Sequence, residues 1–121
     1  MPDKYSVGKS GEDIASDFLR KKNYKIIEQN FKKRYGEIDI VALDGETLVF
    51  VEVKTRKSSK FGSPLEAITP WKLRSVIKTA QYYKLTHLKL PDLMRIDAVA
   101  IKLFDDGRVE EIELVKNISG F

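Results

Sequence analysis

Residues 36–56 read GEIDIVALDGETLVFVEVKTR, and no other stretch limits the fold as strongly. Two segments rich in Ile, Val and Phe, Ile38–Leu43 and Thr47–Thr55, flank Asp44-Gly45, a hairpin turn signal. Successive side chains on a strand point to opposite faces. Near the turn both alternating sets are apolar, so these strands must be central and covered on both sides. The chain therefore needs helices above and below a sheet.

The rest of the sequence supplies them. Val7, Gly11, Ile14, Ala15, Phe18 and Leu19 recur at helical spacing, which predicts a first helix over Val7–Lys22 with Asn23 as its stop. Tyr24–Gln29 reads as a short strand and Asn30–Gly36 as a basic turn or extended connection. Arg56–Thr69 shows no clear periodicity and reads as a long loop of the kind that often carries function. Thr69 caps and Pro70 opens a second helix, with Leu73, Val76, Ile77 and Ala80 on its buried face. Met94–Leu103 and Val109–Val115 are two further strands turning at Asp106-Gly107. The order is α-β-β-β-α-β-β, a mixed α/β domain built on a central sheet flanked by helices.

Only the end of the hairpin away from its turn is charged. A two-residue loop at Asp44-Gly45 pairs Glu37 with Glu52, whereas a four-residue loop sets Asp39 opposite Glu52. Either way Glu37, Asp39, Glu52 and Lys54 share one face, and Ile38, Ile40, Ala42, Val49, Val51 and Val53 the other. A three-residue loop would mix polar with apolar on both faces, so an even loop is expected. Two carboxylates about 5 Å apart at an effective dielectric near 20 repel by roughly 3 kcal/mol. A fold keeps such a cluster where a cation, a shared proton or a solvent-filled cleft relieves it. The plainer account is a structural ion-pair cluster at a sheet edge.

The chain has no cysteine and one histidine, which excludes the usual zinc sites. A metal at this end is a hard ion, Mg²⁺, Mn²⁺ or Ca²⁺, held by carboxylates and water. With 121 residues, one domain over 1–121 is expected. No apolar run approaches a membrane span, and the polar N-terminus is unlike a secretory signal, so a cytoplasmic protein without a membrane partner is expected. Without a Walker motif, no nucleotide cofactor is expected.

Charge is unevenly distributed. Between Lys54 and Lys89 nine bases face the single acid Glu66, a net +8, whereas the segment from Leu90 onward carries −3. A block this basic suits a polyanion, most often nucleic acid. The plainer account is a solvated, Lys-rich surface.

An acid on one strand followed by Glu-x-Lys on the next resembles the PD-(D/E)xK nuclease superfamily, here as Ile38-Asp39 and Glu52-Val53-Lys54. The ordered set GKSGEDIA, GEIDIVA, FVEVKTR, FGSPLEAI and RIDAVAI spans residues 8–101 and looks like the YraN-like family of predicted endonucleases, related to archaeal Holliday-junction resolvases. The resemblance implies a restriction-endonuclease-like fold and Mg²⁺- or Mn²⁺-dependent hydrolysis of DNA phosphodiester bonds, with branched structures among the candidate substrates. It implies Asp39, Glu52 and Glu12 as metal ligands, Lys54 as the catalytic lysine, and products with 5′-phosphate and 3′-hydroxyl ends. A homodimer is implied by analogy with junction resolvases. One departure stands out: the superfamily's proline is Ile38 here. A catalytically silent or partner-dependent nucleic-acid-binding module of the same fold, and a scaffolding protein, are the alternatives.

Several other residues have two readings. Arg56, Lys57 and Lys60 follow the catalytic strand and are the phosphate-contact candidates, with Lys72 and Gln81 on the second helix as further ones. A solvated helix face accounts equally well for the last two. Glu37 either supports the cluster or is a solvated strand end. Asp97, in an apolar strand, is expected to pair with a base or cap a backbone group. Tyr82, Tyr83 and Trp71 are stacking candidates, although aromatics on an amphipathic helix usually serve packing. His87 is expected at a helix C-terminus without a catalytic part.

Overall fold

The computed structural model describes residues 10–57 and 64–119. Lys60, and the segment 7–9 of the expected first helix, lie outside the described residues. Helix α1 spans Gly11–Lys21, β1 Lys25–Lys33, β2 Gly36–Asp44, β3 Thr47–Lys57, α2 Pro70–Leu85, β4 Met94–Leu103 and β5 Val109–Val115, with a short 3₁₀ turn at Pro64–Ala67. The α-β-β-β-α-β-β order is the one the sequence predicts. No helix among the described residues is long and apolar enough to cross a membrane.

Both helices start where their sequences provide a cap. Ser10 Oγ accepts from the Asp13 amide at 3.1 Å. Glu12 and Asp13 in the first turn of α1, and Arg20 and Lys21 in its last, oppose the helix dipole. Asn23, at φ +69°, turns the chain out of the helix in the left-handed region that asparagine tolerates. Thr69 Oγ1 accepts from the Lys72 amide at 3.1 Å, ahead of Pro70 in the first turn of α2.

The five strands lie in the order β1-β2-β3-β4-β5. All neighbouring pairs are antiparallel except β3 and β4, which are parallel. A parallel pair needs a crossover, and α2 provides it. One core joins Ile14, Ala15 and Leu19 of α1 to Ile40, Ala42, Val49, Val51, Val53, Val99 and Ile101. The other joins Val76, Ala80 and Tyr83 of α2 to Val41, Leu48, Phe50 and Ile96. Each fully buried side chain of this size contributes about 1.5–3 kcal/mol. The central strands β2 and β3 are covered on both faces, which explains their apolar runs.

Three local expectations need correcting. The hairpin loop is Gly45-Glu46, one residue later than read, because Asp44 itself pairs with Thr47. Gly45, at φ +60°, supplies the left-handed residue of that turn. The resulting register, Leu43 opposite Leu48, matches the four-residue alternative although the loop has two residues. Second, Ile38 belongs to the α2-side cluster while Ile40 faces α1. The strict period of two fails there because the β2–β3 ladder stops at Ile40 and Val51. Third, the basic segment after Gln29 is mostly strand. It continues β1 to Lys33 and leaves Arg34-Tyr35 as the turn, while Arg56 and Lys57 extend β3.

A buried polar network ties the turn end of the sheet together. Asp97, fully buried, accepts from Arg95 Nε at 2.8 Å, Arg95 Nη2 at 2.9 Å, the Tyr24 hydroxyl at 2.8 Å and the Asn117 amide at 2.9 Å. Arg95 Nη2 also donates to Asp44 Oδ2 at 2.7 Å. Asp97 thus pairs with a base and caps a backbone group, as its place in an apolar strand predicts. Desolvation, followed by the Asp97 contact, drives the Tyr24 phenol well above its usual range.

Candidate functional site

The site forms where β2 and β3 part. Beyond Ile40 and Val51 the two backbones no longer pair, and a carboxylate fills the gap: Asp39 Oδ2 accepts from the Val53 amide at 2.7 Å. Asp39 is thereby fixed to the strand that carries Glu52. Burial and Asp39 together disfavour the charged form of Glu52. Burial, and then the neighbouring Asp39, push the Glu52 carboxyl up to about 7, while Lys72 and Lys54 oppose the shift. Burial also raises Asp39, with Glu12 and Glu37 adding to the effect and the Val53 amide and Lys72 working against it.

Glu52 is only 1 % exposed. Its Oε1 lies 3.5 Å from Lys72 Nζ, and its Oε2 is buried without a hydrogen-bond partner among the described residues. A buried carboxylate oxygen normally finds one or two donors, and leaving it without any costs about 1–3 kcal/mol or more. This oxygen lacks one.

The remaining candidates fall into two groups. Glu12 comes close because α1 begins against β3: a Cβ at Gly11 would lie 2.8 Å from Thr55 Oγ1 and 3.7 Å from Val53, so the helix start approaches the strand closely. Its charge is felt at Asp39. Lys54, half-buried two residues beyond Glu52, acts on the same carboxyl. Lys72, the candidate for the nucleic-acid backbone, stands on the first turn of α2 and is paired with Glu52. Glu37 is near enough to influence Asp39, but its side chain is 45 % exposed and its ion pair with Lys32 is long, at 3.8 Å.

Gln81, Tyr83 and His87 are found elsewhere. Gln81 lines a depression with Asp92, Leu93 and Met94, near the start of β4. Tyr83 is fully buried and donates to Glu28 Oε1 at 2.8 Å, so it serves packing. His87 follows the end of α2 and stacks on Tyr83 with ring centroids 3.9 Å apart. Arg56 and Lys57 lie at the end of β3, with Arg56 the less exposed.

As a donor set, the cluster suits a hard cation: it has carboxylate oxygens, one of them unsatisfied, and neither sulfur nor imidazole. Among the described residues no three such side chains close into a ready-made cage. Mg²⁺ is typically bound by one or two carboxylates and keeps waters and substrate oxygens for the rest. The residues present fit that mode.

Comparison with known proteins places the chain. The model of the family described as "Uncharacterised protein family UPF0102" matches residues 11–101. A UPF0102 protein of Caldicellulosiruptor saccharolyticus is 43 % identical over 114 residues, covering 94 % of this chain and 97 % of the relative. Another from Syntrophomonas wolfei is 48 % identical over 103 residues, covering 84 % and 88 %. A third from Geotalea daltonii is 47 % identical over 116 residues, covering 95 % and 90 %. With a family match over three-quarters of its length and relatives aligned nearly end to end, the chain belongs to the UPF0102 family.

Proposed function

We propose that this protein is a divalent-metal-dependent endonuclease acting on DNA, with Asp39 and Glu52 holding Mg²⁺ or Mn²⁺ and Glu12 assisting. The observation that carries the reading is the buried, unpartnered Oε2 of Glu52 beside Asp39. A cation there relieves both the missing contact and the repulsion between the acids. When bound, such an ion polarises a phosphoryl oxygen and lowers the pKa of a coordinated water.

The protein's own groups do the rest. The Val53 amide holds Asp39 in place. Lys54, on the same strand as Glu52, orients the attacking water or balances charge building on the phosphate. Lys72 balances Glu52 until substrate arrives and then turns to the nucleic-acid backbone. Arg56 and Lys57, at the end of β3, supply further phosphate contacts, with Lys60 as a further candidate from the sequence.

A second reading, a binding module of the same fold that does not cut, draws on the Lys72–Glu52 pair, which already places a positive charge beside the acid. The discriminating experiment is cleavage of labelled duplex, single-stranded, flap and four-way-junction DNA with Mg²⁺, Mn²⁺ or EDTA. Wild type should cut only with metal, and Asp39→Ala and Lys54→Ala should each lose about 100-fold or more in rate. Binding of DNA without any cutting would favour the module.

A further inference from the structure

Beside this site lies a notch that the hydrolytic reading does not use. Trp71, Arg74, Ser75 and Lys78 follow one another at three- and four-residue steps, so they form one flank of α2, next to the buried stripe of Val76 and Ala80. Facing them is Tyr35, at the β1–β2 turn. Together these five residues line a cavity of about 270 Å³. That is slightly below the usual range of small-molecule pockets, about 300–1,000 Å³, and it accommodates a flat ring system.

The notch is built rather than incidental. Ser75 Oγ donates to the Tyr35 carbonyl and fixes the turn to the helix. The next residue, Gly36, has φ +153°, and any Cβ there would collide with the Ser75 hydroxyl. These contacts fix the β1–β2 turn against α2, and with it the positions from which the two rings project. Neither is claimed by the cores: Trp71 is 77 % exposed and Tyr35 45 %. Each ring carries a cation over its face, with the Arg74 guanidinium 5.2 Å from the Trp71 centroid and Lys78 Nζ 4.5 Å from that of Tyr35. Among the described residues no acid lines the notch, and exposed Lys32, Lys33 and Arg34 lead into the same turn. Along the chain the notch is one residue from Lys72, which pairs with Glu52, and two from Glu37, whose charge is felt at Asp39.

We propose that the Tyr35–Trp71 notch seats one unpaired base of a single-stranded segment beside the scissile bond, with Arg74 and Lys78 on the flanking phosphates. This rests on the nuclease reading for its position in the reaction, but not for its binding chemistry. Exposed aromatic rings, each with a cation over one face, match a base and its phosphates. A continuous duplex keeps its bases stacked on one another and offers none to the notch. The substrate class that follows is DNA with an overhang, flap or fork at the cut.

Trp71 is the sole tryptophan of the chain, so its fluorescence reports the notch directly. Wild type in EDTA is titrated with a short oligothymidylate and with a blunt duplex of equal length. The expected result is tighter binding of the oligothymidylate, with quenching of Trp71 that the duplex does not produce. By anisotropy of a labelled oligothymidylate, Tyr35→Ala and Trp71→Ala should each weaken binding by about 5- to 150-fold, the range for loss of one stacked base. Arg74→Gln and Lys78→Gln should each lower the salt slope by about 0.7. Equal binding of both ligands without quenching would overturn the proposal. So would wild-type affinity in folded Tyr35→Ala and Trp71→Ala variants, whose exposed positions make their folding straightforward to confirm by circular dichroism. Binding in EDTA is read apart from cleavage, which separates the two readings. Binding without cleavage under any condition counts against the nuclease alone, and duplex cleavage without oligothymidylate preference counts against the notch alone.

Discussion

Asp97 and Glu52 are both buried carboxylates on the parallel neighbours β4 and β3, one register step apart, and the fold treats them in opposite ways. Asp97 receives four hydrogen bonds, from Arg95, Tyr24 and Asn117. Glu52 has one long ion pair, an acidic neighbour and an oxygen without a donor. The first arrangement ties together the end of β2, the start of β1 and the C-terminal segment. The second stores unfavourable energy at one point. A sheet able to saturate one buried acid and leaving another unsaturated one register step away is the strongest sign that Glu52 serves something other than folding.

The largest effect should come from breaking the saturated member. Asp97→Ala takes the acceptor from the buried Tyr24 hydroxyl and the Asn117 amide and leaves Arg95 with Asp44 as its carboxylate partner, and should cost about 3–5 kcal/mol in urea denaturation. A loss below about 1 kcal/mol would mean that the network is not structural.

The unsaturated member should respond with the opposite sign. Glu52→Gln keeps the shape and removes the charge, so it should stabilise the metal-free protein by about 1–3 kcal/mol at pH 8. The pH dependence follows from Glu52 being raised to about 7 from an ordinary 4.5. In wild type, the contribution of this group is fully present below about pH 4.5 and is lost as pH rises through about 7. The stability gap between Glu52→Gln and wild type should therefore be negligible at pH 4 and open towards pH 8. Parallel pH profiles would show that the carboxyl ionises in the fold without penalty.

Lys72→Met sharpens the contrast further. It removes the nearest positive charge from Glu52, and because this lysine is a third exposed the cost should be only about 1 kcal/mol at pH 8. Smallest of all, Glu37→Gln should change stability by less than about 0.5 kcal/mol, since its partner Lys32 is exposed and 3.8 Å away. A larger loss would place Glu37 within the cluster.

How far the sequence reveals all this depends on the range of the interactions. Thr69-Pro70 and the alternation in 38–53 are local signals, and they locate α2 and the central hairpin. Asp39 and Glu52 are legible because a period-two pattern places both on one face. That same pattern misplaces Ile38, because pleating persists only while the ladder does, and the ladder ends where Asp39 replaces a backbone partner. Lys72 beside Glu52, Tyr24 and Asn117 on Asp97, and Tyr35 facing Trp71 join residues that only the crossover and the turns bring together. A capped helix start predicts that Lys72 lies in a first turn, but not which strand end that turn meets.

The most direct test is Mn²⁺ binding, measured by calorimetry at pH 8 on wild type, Asp39→Asn, Glu52→Gln and Arg95→Met. The account predicts that wild type and Arg95→Met bind the ion, and that the two site variants lose most of that affinity although Glu52→Gln is the more stable fold. Equal Mn²⁺ binding by wild type and Glu52→Gln would contradict it, leaving the unpartnered oxygen without a ligand to explain it.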